Sequence, residues 1–110
     1  MTHQHRNLAK GRWLELSFFE QMANIGSEVE RSIKWKEKGK KEYFEKSFER
    51  AMELFDLTIE DKRNLGRLKE IIRAKEFFAD FMIGDNVFHS KAQDWQKYFY
   101  SFNFATRMST

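Results

Sequence analysis

Three histidines, His3, His5 and His89, are the first residues to weigh in this chain of 110. Histidine beside glutamate is what helical proteins use to hold metal. A di-iron or di-manganese centre in a helical bundle needs inward glutamates and Glu-x-x-His pairs on facing helices. No Glu-x-x-His occurs here. His3 and His5 read as a loose terminal segment, and Glu15, Glu20 and Glu28 as a solvated face. The residues four to six before His89 are Asp85, Gly84 and Ile83. The arginine-to-histidine spacing of helical-bundle ribonucleases is therefore missing. Neither a glycine-rich phosphate loop nor a serine–histidine–acid pattern is visible. The absence of cysteine excludes a thiolate nucleophile, a zinc finger and a disulfide framework. The expectation is a chain with no metal, no cofactor and no catalytic residue.

Charge gives a second candidate. The net charge is only +3, but from Arg31 to Lys41 the basic residues are Arg31, Lys34, Lys36, Lys38, Lys40 and Lys41, against one acid, Glu37. Trp35 sits among them and could stack on a base. If the helices alternate in direction, this segment gathers at one pole with Lys46, His89 and Lys91 nearby. Such a pole can bind phosphates weakly. It can equally be a solubilising cap, with cations favourably placed at a helix C-terminus.

Aromatic residues supply the third. Phe, Tyr and Trp make up 16% of the chain, with twelve phenylalanines. Near the C-terminus Trp95, Tyr98, Phe99, Tyr100, Phe102 and Phe104 surround a single helix. One core cannot bury rings that point in every direction, and a helix apolar all round is usually covered all round. Trp13, Phe19, Trp95, Tyr98, Tyr100 and Phe104 are therefore expected at an interface between copies of the chain. Partial exposure of Tyr98 and Tyr100, whose hydroxyls tolerate water, is the simpler alternative.

These residues need elements to carry them, and the punctuation defines the elements. There is no proline, and Gly39 and Gly84 stand where long apolar patterns stop. Apolar residues three or four apart predict a first helix from about Asn7 to Lys38, with Leu14, Phe18, Met22, Ile25, Val29 and Ile33 on one stripe. The eleven-residue pairing of Leu14 with Ile25 and Phe18 with Val29 predicts a nearly straight helix, roughly 45 Å long. Gly26 lies within it, costing about 1 kcal/mol relative to alanine; close approach of another helix would compensate.

A second helix is expected from about Lys41 to Leu57, burying Phe44, Phe48, Ala51, Phe55 and Ile59. Thr58 or Asp61 would cap a third, from about Lys62 to Ile83, with Leu65, Leu68, Ile72, Ala79 and Met82 as its stripe and Ile71, Phe78 and Phe81 beside it. Gly84 would end it in the left-handed conformation. Ser90 and Gln93 form a capping box for a fourth helix, from about Lys91 to Arg107, with Ala92, Trp95, Phe99, Phe102 and Thr106 on its buried face. The fold class predicted is all-α, an antiparallel up-down-up-down four-helix bundle with a long first helix. Residues 1–110 form one domain, frayed at 1–6 and 108–110. The core is expected to include Phe18, Ile25, Phe48, Leu68, Phe99 and Phe102.

The stretch Gly11-Arg12-Trp13-Leu14-Glu15-Leu16-Ser17-Phe18-Phe19-Glu20-Gln21, Gly84-Asp85-Asn86, and Trp95, Tyr98, Phe99 with Phe102-Asn103-Phe104-Ala105 resemble a family of short uncharacterised prokaryotic helical proteins. The resemblance covers nearly the whole chain. It implies a helical fold and a prokaryotic source, and no activity. The start of the chain has no apolar stretch of a secretory signal, and the longest apolar cluster, Phe77 to Ile83, is interrupted by Asp80 and too short for a bilayer. A cytoplasmic protein without membrane contact is expected. The leading function is a non-enzymatic interaction or scaffold protein that pairs with itself. Weak nucleic-acid binding through the basic pole is the alternative, and a degenerate or unrecognised enzyme the third.

Overall fold

The structure is a computed structural model that describes residues 11–108, all helix and short joints, with no strand among them. Helix α1 spans Phe18–Glu37, α2 Lys41–Glu60, a 3₁₀ helix Lys62–Arg67, α3 Leu68–Ile83 and α4 Ala92–Met108. The all-α reading holds. Most boundaries fall close to expectation, and each departure has a local cause.

The long first helix is broken. Residues 11–13 are helical, but the chain then turns, and α1 starts afresh after Ser17. The Ser17 hydroxyl accepts from the Glu20 N–H at 3.1 Å, and the Glu20 carboxylate accepts from the Ser17 N–H at 2.9 Å. This reciprocal pair satisfies two donors that a helix start leaves free. Glu20 is thus part of a cap, not of a bare solvated face. Leu14 falls in the turn and is exposed, so the stripe begins at Phe18 and runs through the buried Met22, Ile25, Val29 and Ile33. At 20 residues α1 is about 30 Å long, not 45. The start expected at Asn7, the frayed 1–6 and His3 and His5 lie outside the described residues.

Gly39 ends the helix as anticipated, with φ +70°, a conformation open to glycine at no steric cost. Helix α2 runs three residues beyond Leu57. Thr58 is therefore not a cap. It lies buried inside the helix, its hydroxyl donating to the Leu54 carbonyl at 2.8 Å. Asp61 is the cap, accepting from the Arg63 N–H at 3.0 Å.

The buried face of α3 lies to one side of the expected stripe, where Ile71 and Phe78 stand, and keeps Met82. The six residues before α3, Lys62–Arg67, coil as 3₁₀, which changes their angular phase relative to one continuous α-helix. Leu65, within the 3₁₀ turn, is exposed, and Ile72 sits at the surface, while Ile71, Phe78 and Met82 are buried. Gly84 ends α3 in an extended conformation, φ −98° and ψ −161°, so the left-handed expectation fails there. Its need for glycine is spatial: a Cβ would stand 3.0 Å from the Asp80 Cα and carbonyl oxygen. Asn86 and His89 take the positive φ angles of this joint instead.

The fourth helix matches its stripe: Trp95, Phe99 and Phe102 are buried, and Ala92 and Thr106 half-buried. Its cap is shifted by one residue. Asp94, not Gln93, reaches back, accepting from the Lys91 N–H at 2.9 Å. Met108, expected to fray, still belongs to the helix. Of the anticipated core, Ile25, Phe99 and Phe102 are buried, while Phe18, Phe48 and Leu68 pack half-buried at its edge.

The helices pack α2 on α1, α3 on α2, and α4 on α1. Gly26 marks the closest approach of α1 and α4: a Cβ there would lie 2.8 Å from the Cβ of Phe99. The mid-helix glycine is thus compensated as its position suggested. An ion pair of Lys75 with Asp56 at 2.5 Å ties α3 to α2, and the Phe78 ring meets Phe48, Phe55 and Trp95.

Candidate functional site

The expected interface residues separate into two groups. Trp13 and Trp95 belong to the core, 7% and 6% exposed. Tyr98 is half-buried, its hydroxyl donating to Glu70 on α3 at 2.9 Å. Its phenol pKa is raised, first by burial and then by that carboxylate. These three are corrections to the interface set. The break before Ser17 turns Trp13 inward, and the remaining helices supply the cover that Trp95 and Tyr98 need.

Phe19, Tyr100 and Phe104 remain outward. Tyr100 is 60% and Phe104 51% exposed. They lie four apart on α4, their rings 6.4 Å from centre to centre, and Met108 continues the line one turn on. Phe19 lies close to Phe102, at 6.3 Å, and beneath the Arg67 guanidinium. Beside the α4 line runs a groove of about 610 Å³ between α1 and α4, bordered by Tyr100 and Asn103 and by Glu30, Lys34 and Glu37.

Trp13 anchors a buried polar network that sequence reasoning missed. Its indole N–H donates to the Thr58 hydroxyl at 2.9 Å. The fully buried Gln21 amide donates to the Trp13 carbonyl at 3.0 Å and to the Asp61 carboxylate at 2.8 Å. Asn64 donates back to Gln21 at 2.9 Å and to the Thr58 carbonyl at 3.0 Å. Arg63 closes the set, donating to Asp61 at 2.7 Å and to the Leu16 carbonyl at 2.8 Å. These bonds hold the Asp61 pKa down at about 2, the Arg63 hydrogen bond being the largest cause. A buried network is stabilising when every member is satisfied, and this one clamps the Ser17 joint to the end of α2. Its only sequence sign is a glutamine on an apolar stripe, next to Met22.

Part of the basic segment is engaged within the chain. Arg31 pairs with Glu28 at 2.9 Å. Lys36 leans over the Phe44 ring and donates to the Met82 carbonyl, so the ends of α1 and α3 do meet. Trp35 packs on Tyr43 with ring centres 4.9 Å apart, and Lys38 stands over its ring at 5.6 Å. Lys34, Lys40 and Lys41 are exposed. The indole that could stack on a base is half-buried and flanked by a tyrosine and a lysine.

Among the described residues no group of three or more histidines and acids could hold a metal ion, and no helix is long and apolar enough to cross a membrane. The class defined is an all-α protein with an aromatic line on its last helix and a clamped first joint. Compared with protein-family models, curated proteins and solved structures, the chain matches none.

Proposed function

We propose that the chain is a non-enzymatic interaction protein whose helices form an antiparallel up-down-up-down four-helix bundle, and that it acts in the cytoplasm as a homo-oligomer joined through the outer face of α4. The observation that carries this is the Tyr100–Phe104–Met108 line. Three large apolar side chains in a row on one helix face are unusual on a monomer. The groove beside them supports a second copy as the cover. An interface on a two-fold axis must be self-complementary, and this face offers protruding rings next to a recess with both acids and a lysine on its border. The resemblance to short prokaryotic helical proteins adds no activity to this reading.

Light scattering on the full chain at micromolar concentration should give a mass above the 13.4 kDa of one copy. The double change Tyr100→Ser and Phe104→Ser should return it to 13.4 kDa with unchanged helical circular dichroism. A wild-type monomer at about 100 μM, well above the dissociation constants of stable complexes, would refute the reading. Nucleic-acid binding stays second because Lys34, Lys38, Lys40 and Lys41 are exposed and none forms an ion pair among the described residues.

A further inference from the structure

A separate cleft of about 580 Å³ opens between α3, the joint at 84–91 and α4. Its volume lies in the range of small-molecule sites, which pair an apolar lining with a few polar groups. Phe77, Phe88, Trp95 and Tyr98 supply the lining. Phe88 stacks on Phe77 at 3.8 Å and 10°, and Tyr98 meets Trp95 edge-on at 6.2 Å.

The wall formed by the joint is fixed in place. The Asp80 carboxylate accepts from the N–H groups of Val87 and Phe88 at 3.0 and 3.2 Å. The Asn86 amide bonds the backbone of Ser90 in both directions, at 2.9 and 3.1 Å. A preformed wall reduces the ordering cost of binding.

The rim gives the ligand its sign. Lys69, Arg73 and His89 border the cleft with Glu70 and Asp94. Both acids are engaged: Glu70 by the Tyr98 hydroxyl and Arg67, and Asp94 by the Lys91 N–H. Neither Lys69 nor Arg73 forms an ion pair among the described residues, and both are exposed. A further observation is independent of the rim. The indole N–H of Trp95 is buried and has no acceptor among the described residues. Buried donors are almost always paired, and Trp95 borders both this cleft and the groove between α1 and α4, so its indole N–H reports on a ligand entering either.

We infer that this cleft binds a small aromatic monoanion, its flat body against Phe77, Phe88, Trp95 and Tyr98 and its carboxylate toward Arg73 and Lys69. Aromatic rings favour offset and edge-to-face partners of the kind lining the cleft. A guanidinium matches a carboxylate through two parallel hydrogen bonds. Glu70 and Asp94 on the same rim oppose a ligand carrying several negative charges, because like charges at close range repel.

The test is titration of the full-length chain with 2-naphthoate, followed through the indole N–H resonances of its three tryptophans, with the Trp95 signal identified by its loss in Trp95→Phe. The Trp95 resonance should shift saturably, with a dissociation constant below about 1 mM, while that of Trp35 stays in place. Lys69→Gln with Arg73→Gln, at exposed unpaired positions, should keep the fold and weaken naphthoate at least about tenfold. Neutral 2-naphthamide should bind more weakly than naphthoate and lose nothing in the double variant. Absence of any shift at several times that concentration would overturn the inference. So would naphthamide binding as tightly as naphthoate, or naphthoate binding unchanged by the double variant.

Discussion

Gly26→Ala sets the intrinsic preference of a helix against the packing of two helices. Alanine inside α1 should gain about 1 kcal/mol over glycine. The added methyl, however, would lie 2.8, 2.9 and 3.0 Å from the Cβ, Cγ and Cδ1 of Phe99, where ordinary contacts begin near 3.4 Å. Rotation of the Phe99 ring does not relieve the first of these, because Cβ is fixed to the α4 backbone. The helices must separate by several tenths of an ångström, and the separation spreads to Met22, Val29, Trp95 and Phe102 along the seam. Overpacking of this kind costs about 1–3 kcal/mol. Loosened contacts on either side of the clash place the cost toward the upper end of that range. The net expectation is a loss of about 1–2 kcal/mol, or a fall in Tm of roughly 4–15 °C for a domain of this size. Urea melts followed by circular dichroism measure it. Gly66→Ala is the control, since nothing stands within 4 Å of a Cβ there, and it should leave stability unchanged or slightly raised. A Gly26→Ala variant more stable than wild type would show that α1 and α4 do not approach this closely, and the register of the seam would have to be abandoned.

Asp61 makes stability pH-dependent in acid. Its pKa falls from 3.8 to about 2 on folding, so its contribution of about 2 kcal/mol is complete above the unfolded value and disappears as pH drops through about 2. Asp61→Asn should cost a similar amount at pH 7 and flatten the stability profile between about pH 5 and 2; a profile as steep as wild type in that variant would place the acid sensitivity elsewhere. For the basic segment, binding to single-stranded RNA should be no tighter than about 10 μM at physiological salt and should weaken further as salt rises. Sub-micromolar binding that Lys34→Gln, Lys38→Gln, Lys40→Gln and Lys41→Gln abolish together would move nucleic acid to first place.

Much of the helical layout was legible because it depends on neighbours in the chain. The left-handed turn at Gly39 is a local property of glycine, and the i, i+4, i+7 spacing of Trp95, Phe99 and Phe102 defines one face of α4 whatever that face meets. Met22, Ile25, Val29 and Ile33 follow the same rule on α1. Where local signals competed, periodicity alone chose badly. Ser17 and Glu20 were a capping signal inside an apolar pattern, and the cap prevailed. The 3₁₀ turn at Lys62–Arg67 took Leu65 off the face read for it, since 3.0 residues per turn and 3.6 accumulate angle differently, while Met82 at the far end of α3 is buried as read.

Tertiary structure decided which outward-looking residues stay outward. Trp13, Trp95, Tyr100 and Phe104 are alike in a sequence window, yet two are core and two are surface. The difference lies in partners 45 positions away, as when the Trp13 indole finds Thr58. Gln21 is 40 residues from Asp61 and 43 from Asn64, and the three become one network only when the end of α2 folds back beside the start of α1. Likewise the cleft exists because α3 meets α4 through Glu70 and Tyr98 at one end and the 84–91 joint through Phe77 and Phe88 at the other, leaving the space between open. Helical period is written in near neighbours, whereas burial and hydrogen-bond pairing are properties of whatever the fold brings alongside.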